Sequence, residues 1–368
     1  MKIVFVAYNY QPLFIDPAQW AVYIHRQARV MEELARLNEV YYLRQVNYEG
    51  TFVKNNVQYL YPAKTNSKAY FPGKLHKVLH KIDPDLVIIL GFRYPLQIIQ
   101  LKKVLRRDTI ILARDHADKI PFGIRRYLQK MADKNVDAYL FTGKANAADW
   151  INAGIIKGWK KINELPAASN DFGRLDKTTC KQELGWNSTL NLIWVGGLTE
   201  NKDPITVISG FEQYLESRPD AILHMIYHSE QLLDAVRNKI ECSTALSKQV
   251  KLHGKIANEE LPVWFSAADI YVTGSHREGG SYALLEAMAC GCVPVVTDIP
   301  AAITVTDNGT LGFFYQPGNE NDLAEKLRSA VRSDLDLMST KIEKHFSENY
   351  TPTSIAKGIV DIYKELKK

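Results

Sequence analysis

The segment Glu278-Gly-Gly-Ser-Tyr-Ala-Leu-Leu-Glu286 sets two carboxylates on either side of a glycine pair and the start of a helical run. Upstream, Asp269-Ile-Tyr-Val-Thr-Gly274 reads as a buried strand, and Ser275-His-Arg-Glu278 carries the chain toward the glycines. Gly279 and Gly280 let the backbone come close to a ligand, and Ser281 has the side chain of a natural N-cap. A glycine loop entering a helix N-terminus favours an anion, because free N–H groups and the helix dipole both point at it. Glu286, one turn further on, can accept hydrogen bonds from two neighbouring hydroxyls of a ribose. Glu278 falls in the loop at the strand's carboxyl end. A diphosphate site flanked by two carboxylates suits a nucleotide-sugar better than a free anion. The competing reading of each glutamate is a solvated surface residue.

Alternating strand and helix patterns position these residues. Strand patterns fall at 2–7, 39–45, 85–90, 109–113 and 137–142, separated by helical spacing at 18–37, 94–106, 122–134 and 144–154. The second half has strands near 191–196, 221–227, 249–253, 269–274 and 293–297. Helices near 204–217, 230–241, 259–267, 282–290 and 320–332 intervene. Repeated βα alternation predicts an α/β chain with parallel sheets covered by helices on both faces. At 368 residues, two doubly wound domains are expected, 1–168 and 169–351, with a cleft between them. The boundary falls in the turn-rich Pro166-Ala-Ala-Ser-Asn-Asp-Phe-Gly173.

Residues 1–168 carry 26 Lys and Arg against 14 Asp and Glu, whereas the rest carries 20 against 27. The basic excess suits anionic lipid or a phosphorylated acceptor; the alternative is a solvated helix surface. Nucleic acid fits poorly, because the cations lack interleaved stacking aromatics. No apolar run is long enough to span a membrane, and Met1–Ala7 reads as a buried strand rather than a signal peptide. Four cysteines, with Cys290 and Cys292 unaccompanied by a second pair, fit structural thiols in a reducing, cytoplasmic setting. His224, His228 and His253 read as structural. Trp20, Tyr94 and Phe122 read as core aromatics, with acceptor contact as the alternative.

Glu278 to Glu286, continuing Ala287-Met-Ala-Cys-Gly-Cys-Val-Pro-Val-Val296, resembles the E-x7-E signature of family 4 retaining glycosyltransferases, the group 1 glycosyl transferases with the GT-B fold. Val195-Gly-Gly-Leu198, Lys202, Leu252-His-Gly254, Trp264-Phe-Ser-Ala-Ala-Asp269, Gly312-Phe313 and Pro317-Gly318 fall in the family's order. The resemblance implies that Glu286 holds the ribose and Glu278 the donor sugar. Backbone N–H groups around Gly280, Ser281 and Tyr282 would hold the diphosphate, with Gly196 and Gly197 beside it. Lys202 would neutralise the leaving phosphate, and the base would lie near Gly254 to Ile256. His116 matches the family's histidine that faces the donor sugar from the N-terminal domain. The last segment, about 352–368, resembles the helix that packs back on that domain.

Three departures stand out. The family's arginine at position 197 is Gly197. Its Gly-Gly loop after the first strand is Phe14-Ile-Asp-Pro-Ala18, where Asp16 would repel a phosphate. Its glycine turn after the strand near 221–227 is His228-Ser229. Arg277 and Arg114 are the candidate compensating cations. The two Asp-x-Asp elements, Asp83-Pro-Asp85 and Asp334-Leu-Asp336, do not sit in loops suited to a metal, so no metal is expected. The expected activity is metal-independent, retaining transfer of a hexose-type sugar from a nucleoside diphosphate donor to a glycan or lipid-linked acceptor. The alternatives are a silent GT-B protein that binds a nucleotide-sugar or a partner, and a GT-B epimerase or phosphorylase.

Overall fold

The computed structural model describes residues 1–63, 72–115, 119–166, 172–278 and 281–368. It divides into two compact units, Met1–Ala168 with Pro352–Lys368, and Ser169–Thr351.

The first unit runs β1 (Lys2–Gln11), α1 (Pro17–Tyr23), α2 (His25–Ala35), β2 (Glu39–Val46), β3 (Gly50–Lys54), β4 (Val57–Tyr61) and α3 (Gly73–Ile82). It continues β5 (Leu86–Leu90), α4 (Pro95–Val104), β6 (Ile110–Arg114), α5 (Gly123–Asp133), β7 (Ala138–Phe141), α6 (Ala148–Asn152) and β8 (Ile162–Glu164). Its eight strands are ordered β3-β4-β2-β1-β5-β6-β7-β8. Successive residues of β1 enter opposite cores: Ile3, Phe5 and Ala7 in one, Val4, Val6 and Tyr8 in the other. That is why β1 reads as a continuous apolar run rather than an alternating one.

Two expectations need correction here. The helix pattern at 18–37 is two helices that meet at Ile24. The sheet is not wholly parallel, because β3 pairs antiparallel with β4 through a turn at Asn55 and Asn56, both with positive φ. Asn tolerates that conformation, and β3 is too exposed to give a buried-strand pattern.

The second unit runs α7 (Lys177–Glu183), β9 (Asn191–Gly196), α8 (Pro204–Leu215), β10 (Ile222–Tyr227), α9 (Leu233–Glu241), α10 (Thr244–Gln249), β11 (Val250–Gly254) and α11 (Leu261–Ala267). It closes with β12 (Ile270–Thr273), α12 (Tyr282–Ala289), β13 (Val293–Thr297), α13 (Pro300–Val305), β14 (Phe313–Tyr315), α14 (Glu320–Arg332) and α15 (Leu335–Asn349). The sheet is parallel, in the order β11-β10-β9-β12-β13-β14. One apolar core covers each face. Strand order reverses between β9 and β12, so the chain leaves these neighbours in opposite directions. In open parallel sheets the crevice at such a switch point is where ligands bind. A final helix, α16 (Pro352–Leu366), belongs to the first unit and buries Ile355, Ile359 and Ile362 in the core beside α2.

Candidate active site

The loops that leave β9 and β12 meet at this switch point. Gly274 follows β12, and a Cβ there would stand 2.6 Å from the Asp203 carbonyl oxygen and 3.1 Å from that of Lys202. Only a glycine lets the two loops approach this closely. They are then stitched together: the His276 N–H donates to Asn201 O (2.8 Å) and Asn201 Nδ2 to Arg277 O (3.0 Å). His276 Nε2 lies 3.0 Å from Asp203 Oδ2. Asp203 itself caps α8, accepting from the Thr206 N–H (3.1 Å), so the Lys202 loop is tied to a helix start. On the other side, Thr297 Oγ1 donates to Ser275 O (2.5 Å) and the Tyr315 hydroxyl to Thr273 O (2.9 Å). These clamps come from residues whose importance no local sequence pattern signals; only the strand order brings them together.

This stitching sets the Lys202 ammonium in direct contact with the Glu278 carboxylate. Lys202 is 26% and Glu278 19% exposed, so the pair is partly sheltered yet open to solvent. Without a ligand, each charge compensates the other. Glu286, on α12, is only 5% exposed, which rules out the solvated-surface reading for it. Burial pushes the ionisation of the Tyr271 phenol upward, and the charges of Glu278 and Glu286 push it further.

Ser281 departs from expectation. It stands at the N-cap position of α12, but in the left-handed conformation (φ 43, ψ 44), and its side chain makes no cap hydrogen bond. Its hydroxyl is buried and has no partner among the described residues. A serine caps a helix from extended backbone, and this conformation aims the hydroxyl elsewhere. Ser281 therefore does not cap the first turn of α12, and helix N-termini favour anions. Tyr282 starts the helix and is exposed.

A Cβ at Gly196 would contact the Trp194 ring (3.3 Å) and the Lys202 stem (3.7 Å). A Cβ at Gly197 would stand 2.5 Å from Ser229 Oγ and 3.6 Å from His228 Cε1. Two of the departures noted in the sequence thus occupy one place: His228-Ser229 fill the space from which a side chain at 197 would start. Ser229 Oγ is buried and without a partner among the described residues.

Gly254 ends β11 with φ +69 and open space where a Cβ would be, and Ile256 packs on the apolar core. Next to Gly254, His253 Nε2 lies 3.0 Å from His224 Nδ1, and His224 Nε2 lies 3.3 Å from Asn191 Oδ1. Trp186 stacks on His224 at 3.6 Å. Burial pulls His224 down to about 3, helped by His253, and lowers His253 as well. His224 and His253 are thus part of the packed sheet, whereas His228 is exposed.

His116, Gly279 and Gly280 lie outside the described residues. Arg277 is exposed beside Glu278. Arg114 is buried in the first unit at the end of β6, where Nη2 donates to Pro166 O (2.9 Å). The Asp16 carboxylate accepts from the Ala18 N–H (2.8 Å), so it caps α1. Cys290 and Cys292 are buried; Cys292 Sγ donates to Phe265 O (2.9 Å), and burial lifts Cys290 to about 12. Among the described residues, no three His, Cys, Asp or Glu side chains gather as a metal-holding group.

Residues 176–351 match the family described as glycosyl transferases group 1. They form a group 1 glycosyl transferase domain. Within this domain lie Lys202, Glu278, Ser281 and Glu286. Mannosylfructose-phosphate synthase of Agrobacterium fabrum is 29% identical over 176 residues, 45% of this chain and 38% of that protein. A GDP-mannose-dependent monoacylated alpha-(1-6)-phosphatidylinositol monomannoside mannosyltransferase of Corynebacterium glutamicum is 27% identical over 160 residues, 41% of each chain. The chain spans about two fifths of the length of these curated relatives. The fold match is broader. The structure of Anabaena HepE in complex with UDP superposes with a TM-score of 0.71 over 99% of this chain and 100% of that one, at 15% identity. Two Rossmann-like units in this order make the GT-B fold.

Proposed function

We propose that the protein is a retaining glycosyltransferase that moves a hexose-type sugar from a nucleoside diphosphate donor to a glycan or lipid-linked acceptor in cell-surface polysaccharide or glycoconjugate synthesis. The observation that carries this reading is the contact of Lys202 with Glu278 at the switch point between β9 and β12, just ahead of a helix start that Ser281 does not cap. The bond between the anomeric carbon and the diphosphate breaks with its electron pair on the phosphate. The acceptor hydroxyl forms the new bond on the same face, and its proton passes to the departing phosphate oxygen. The protein's task is to place the acceptor and stabilise the leaving charge. Lys202 is positioned to leave Glu278 for the diphosphate, and the α12 amides complete the anion site. Glu278, released, turns to the donor sugar's hydroxyls, and Glu286 holds the ribose.

No metal enters this scheme. Of the two Asp-x-Asp elements, Asp83 and Asp85 are bound to Arg106 (2.9 and 2.8 Å), and Asp334 caps α15. A lipid-linked acceptor is supported by the acceptor named for the Corynebacterium relative. The uncharged Gly197–Ser229 contact favours a second reading, a protein that binds the nucleotide-sugar without turning it over.

Thermal unfolding with UDP, GDP and their sugars, followed by assay of diphosphate release, separates the two. A saturating nucleotide at 100 times its Kd stabilises by about 2.7 kcal/mol, or about 5–10 °C for a domain of this size. Glu286→Ala is expected to abolish both the shift and the release. Unchanged shift and release in Glu286→Ala would overturn the assignment of the site.

A further inference from the structure

Outside the transferase domain, one helix presents the wrong side chains to solvent. On α5, Ile124, Tyr127 and Met131 follow helical spacing and form one stripe, yet they are 71%, 61% and 42% exposed, and Phe122 just before them is 89% exposed. An amphipathic helix of a folded domain normally turns such a stripe inward. Here the buried side is the polar and small one, Gln129 and Ala132. Phe122 is thus not the core aromatic expected above.

The charges around the stripe have one sign. From Lys119 to Lys134 the cations are Lys119, Arg125, Arg126, Lys130 and Lys134, all exposed. The single carboxylate in that span, Asp133, is buried and engaged by Lys161, whose ammonium also donates to Asp133 O and Val136 O. The Arg126 guanidinium is anchored to Ala153 O (2.6 Å from Nη2), which fixes the helix against the turn leading to Lys157, the half-exposed Trp159 and Lys160. The patch therefore continues beyond the helix with the same mixture of aromatic and cation.

We propose that α5 and the adjoining Trp159 turn are a docking surface for an anionic lipid membrane, lying in the headgroup layer without crossing it. Exposed aromatic and aliphatic side chains ringed by Lys and Arg match an interface that is apolar beneath and negative above. Charge decides against a second copy of the chain, because two such faces would bring their cations together. No helix among the described residues is long and apolar enough to cross a membrane, so contact of this kind is made from the surface.

The test is sedimentation of the full chain with vesicles of phosphatidylcholine alone and with about one third phosphatidylglycerol, at low and high salt. Binding is expected only to the anionic vesicles and is weakened by salt. Arg125→Gln with Lys130→Gln lowers it about 25-fold, at about fivefold per cation. Ile124→Ser with Tyr127→Ser lowers it at least about tenfold. These side chains are exposed, so the unfolding temperature and nucleotide binding by the transferase domain stay unchanged and report a folded protein. Equal binding to neutral vesicles, no binding to either, or variants that bind like the parent would overturn the proposal. So would a concentration-dependent dimer that Ile124→Ser abolishes, which would make the occupant another copy of the chain.

Discussion

Lys202→Ala separates the structural from the chemical work of one ion pair. Lys202 and Glu278 are about a quarter and a fifth exposed, which puts their contact between a surface pair and a buried one. Surface pairs contribute up to about 1 kcal/mol and breaking buried ones costs about 3–5 kcal/mol, so a loss of about 1–2 kcal/mol is expected. For a unit of about 180 residues that is a fall of about 3–6 °C in unfolding temperature. Glu278→Gln breaks the same contact and should cost about the same, and the double variant no more than either single, because both remove one interaction. Turnover should behave differently. If Lys202 faces the departing diphosphate as proposed, removing it should lower kcat about 10²–10³-fold, as loss of a single charge-stabilising donor does elsewhere. Thermal unfolding and nucleoside diphosphate release from the preferred sugar donor, measured on the three variants, provide the comparison. If Lys202→Ala lost its stability but released diphosphate within twofold of the parent rate, Lys202 would be only a loop fastener, and the leaving-group argument would fail.

Two further outcomes follow from particular contacts. Burial holds His76 at about 4 and His224 at about 3, both below the unfolded value of about 6.5, so the unfolded chain takes up protons that the folded chain refuses. Stability is therefore full above about pH 6.5 and falls as pH drops toward 4, by about 2 kcal/mol per histidine between pH 7.5 and 5; urea midpoints that stay level across that interval would contradict it. Gly197→Ala should cost about 1–3 kcal/mol by crowding Ser229 Oγ, and Ser229→Gly in the same chain should restore the parent unfolding temperature, with non-additivity as the readout.

Much of the transferase domain was legible because its signals are local. The strands at 191–196 and 293–297 are continuous apolar runs buried on both faces, and their observed bounds match the pattern. The Ala- and Leu-rich run after Ser281 is a helix because strong helix formers fill it. What sequence could not supply is anything set by contact between distant elements. Asn201 and His276 join two loops some 75 positions apart, and neither belongs to a pattern that reading along the chain can detect. The exposure of α5 escaped for a related reason. Periodicity shows that a helix has an apolar stripe, but not which way the domain turns it.

Gly197 makes the same point about the site itself. Read position by position, the absent arginine, the absent glycine turn and Asp16 look like three separate losses of phosphate-binding capacity. In three dimensions Asp16 caps a helix, and the other two are one event, since the Ser229 side chain stands where a Cβ at 197 would begin. A side chain at 197 therefore requires the Ser229 hydroxyl to shift or be removed. The substitution exchanges a long cation for a short hydroxyl, buried and unpartnered among the described residues, at the exit of the strand next to the Lys202 loop. Under the proposed function, charge compensation on this side of the donor would rest on Lys202, which contacts Glu278. If that reasoning holds, Gly197→Arg should gain nothing by itself, whereas Gly197→Arg with Ser229→Gly should bind nucleoside diphosphate more tightly and with a steeper loss at high salt. Tighter binding by the single variant would show that the two positions are independent after all.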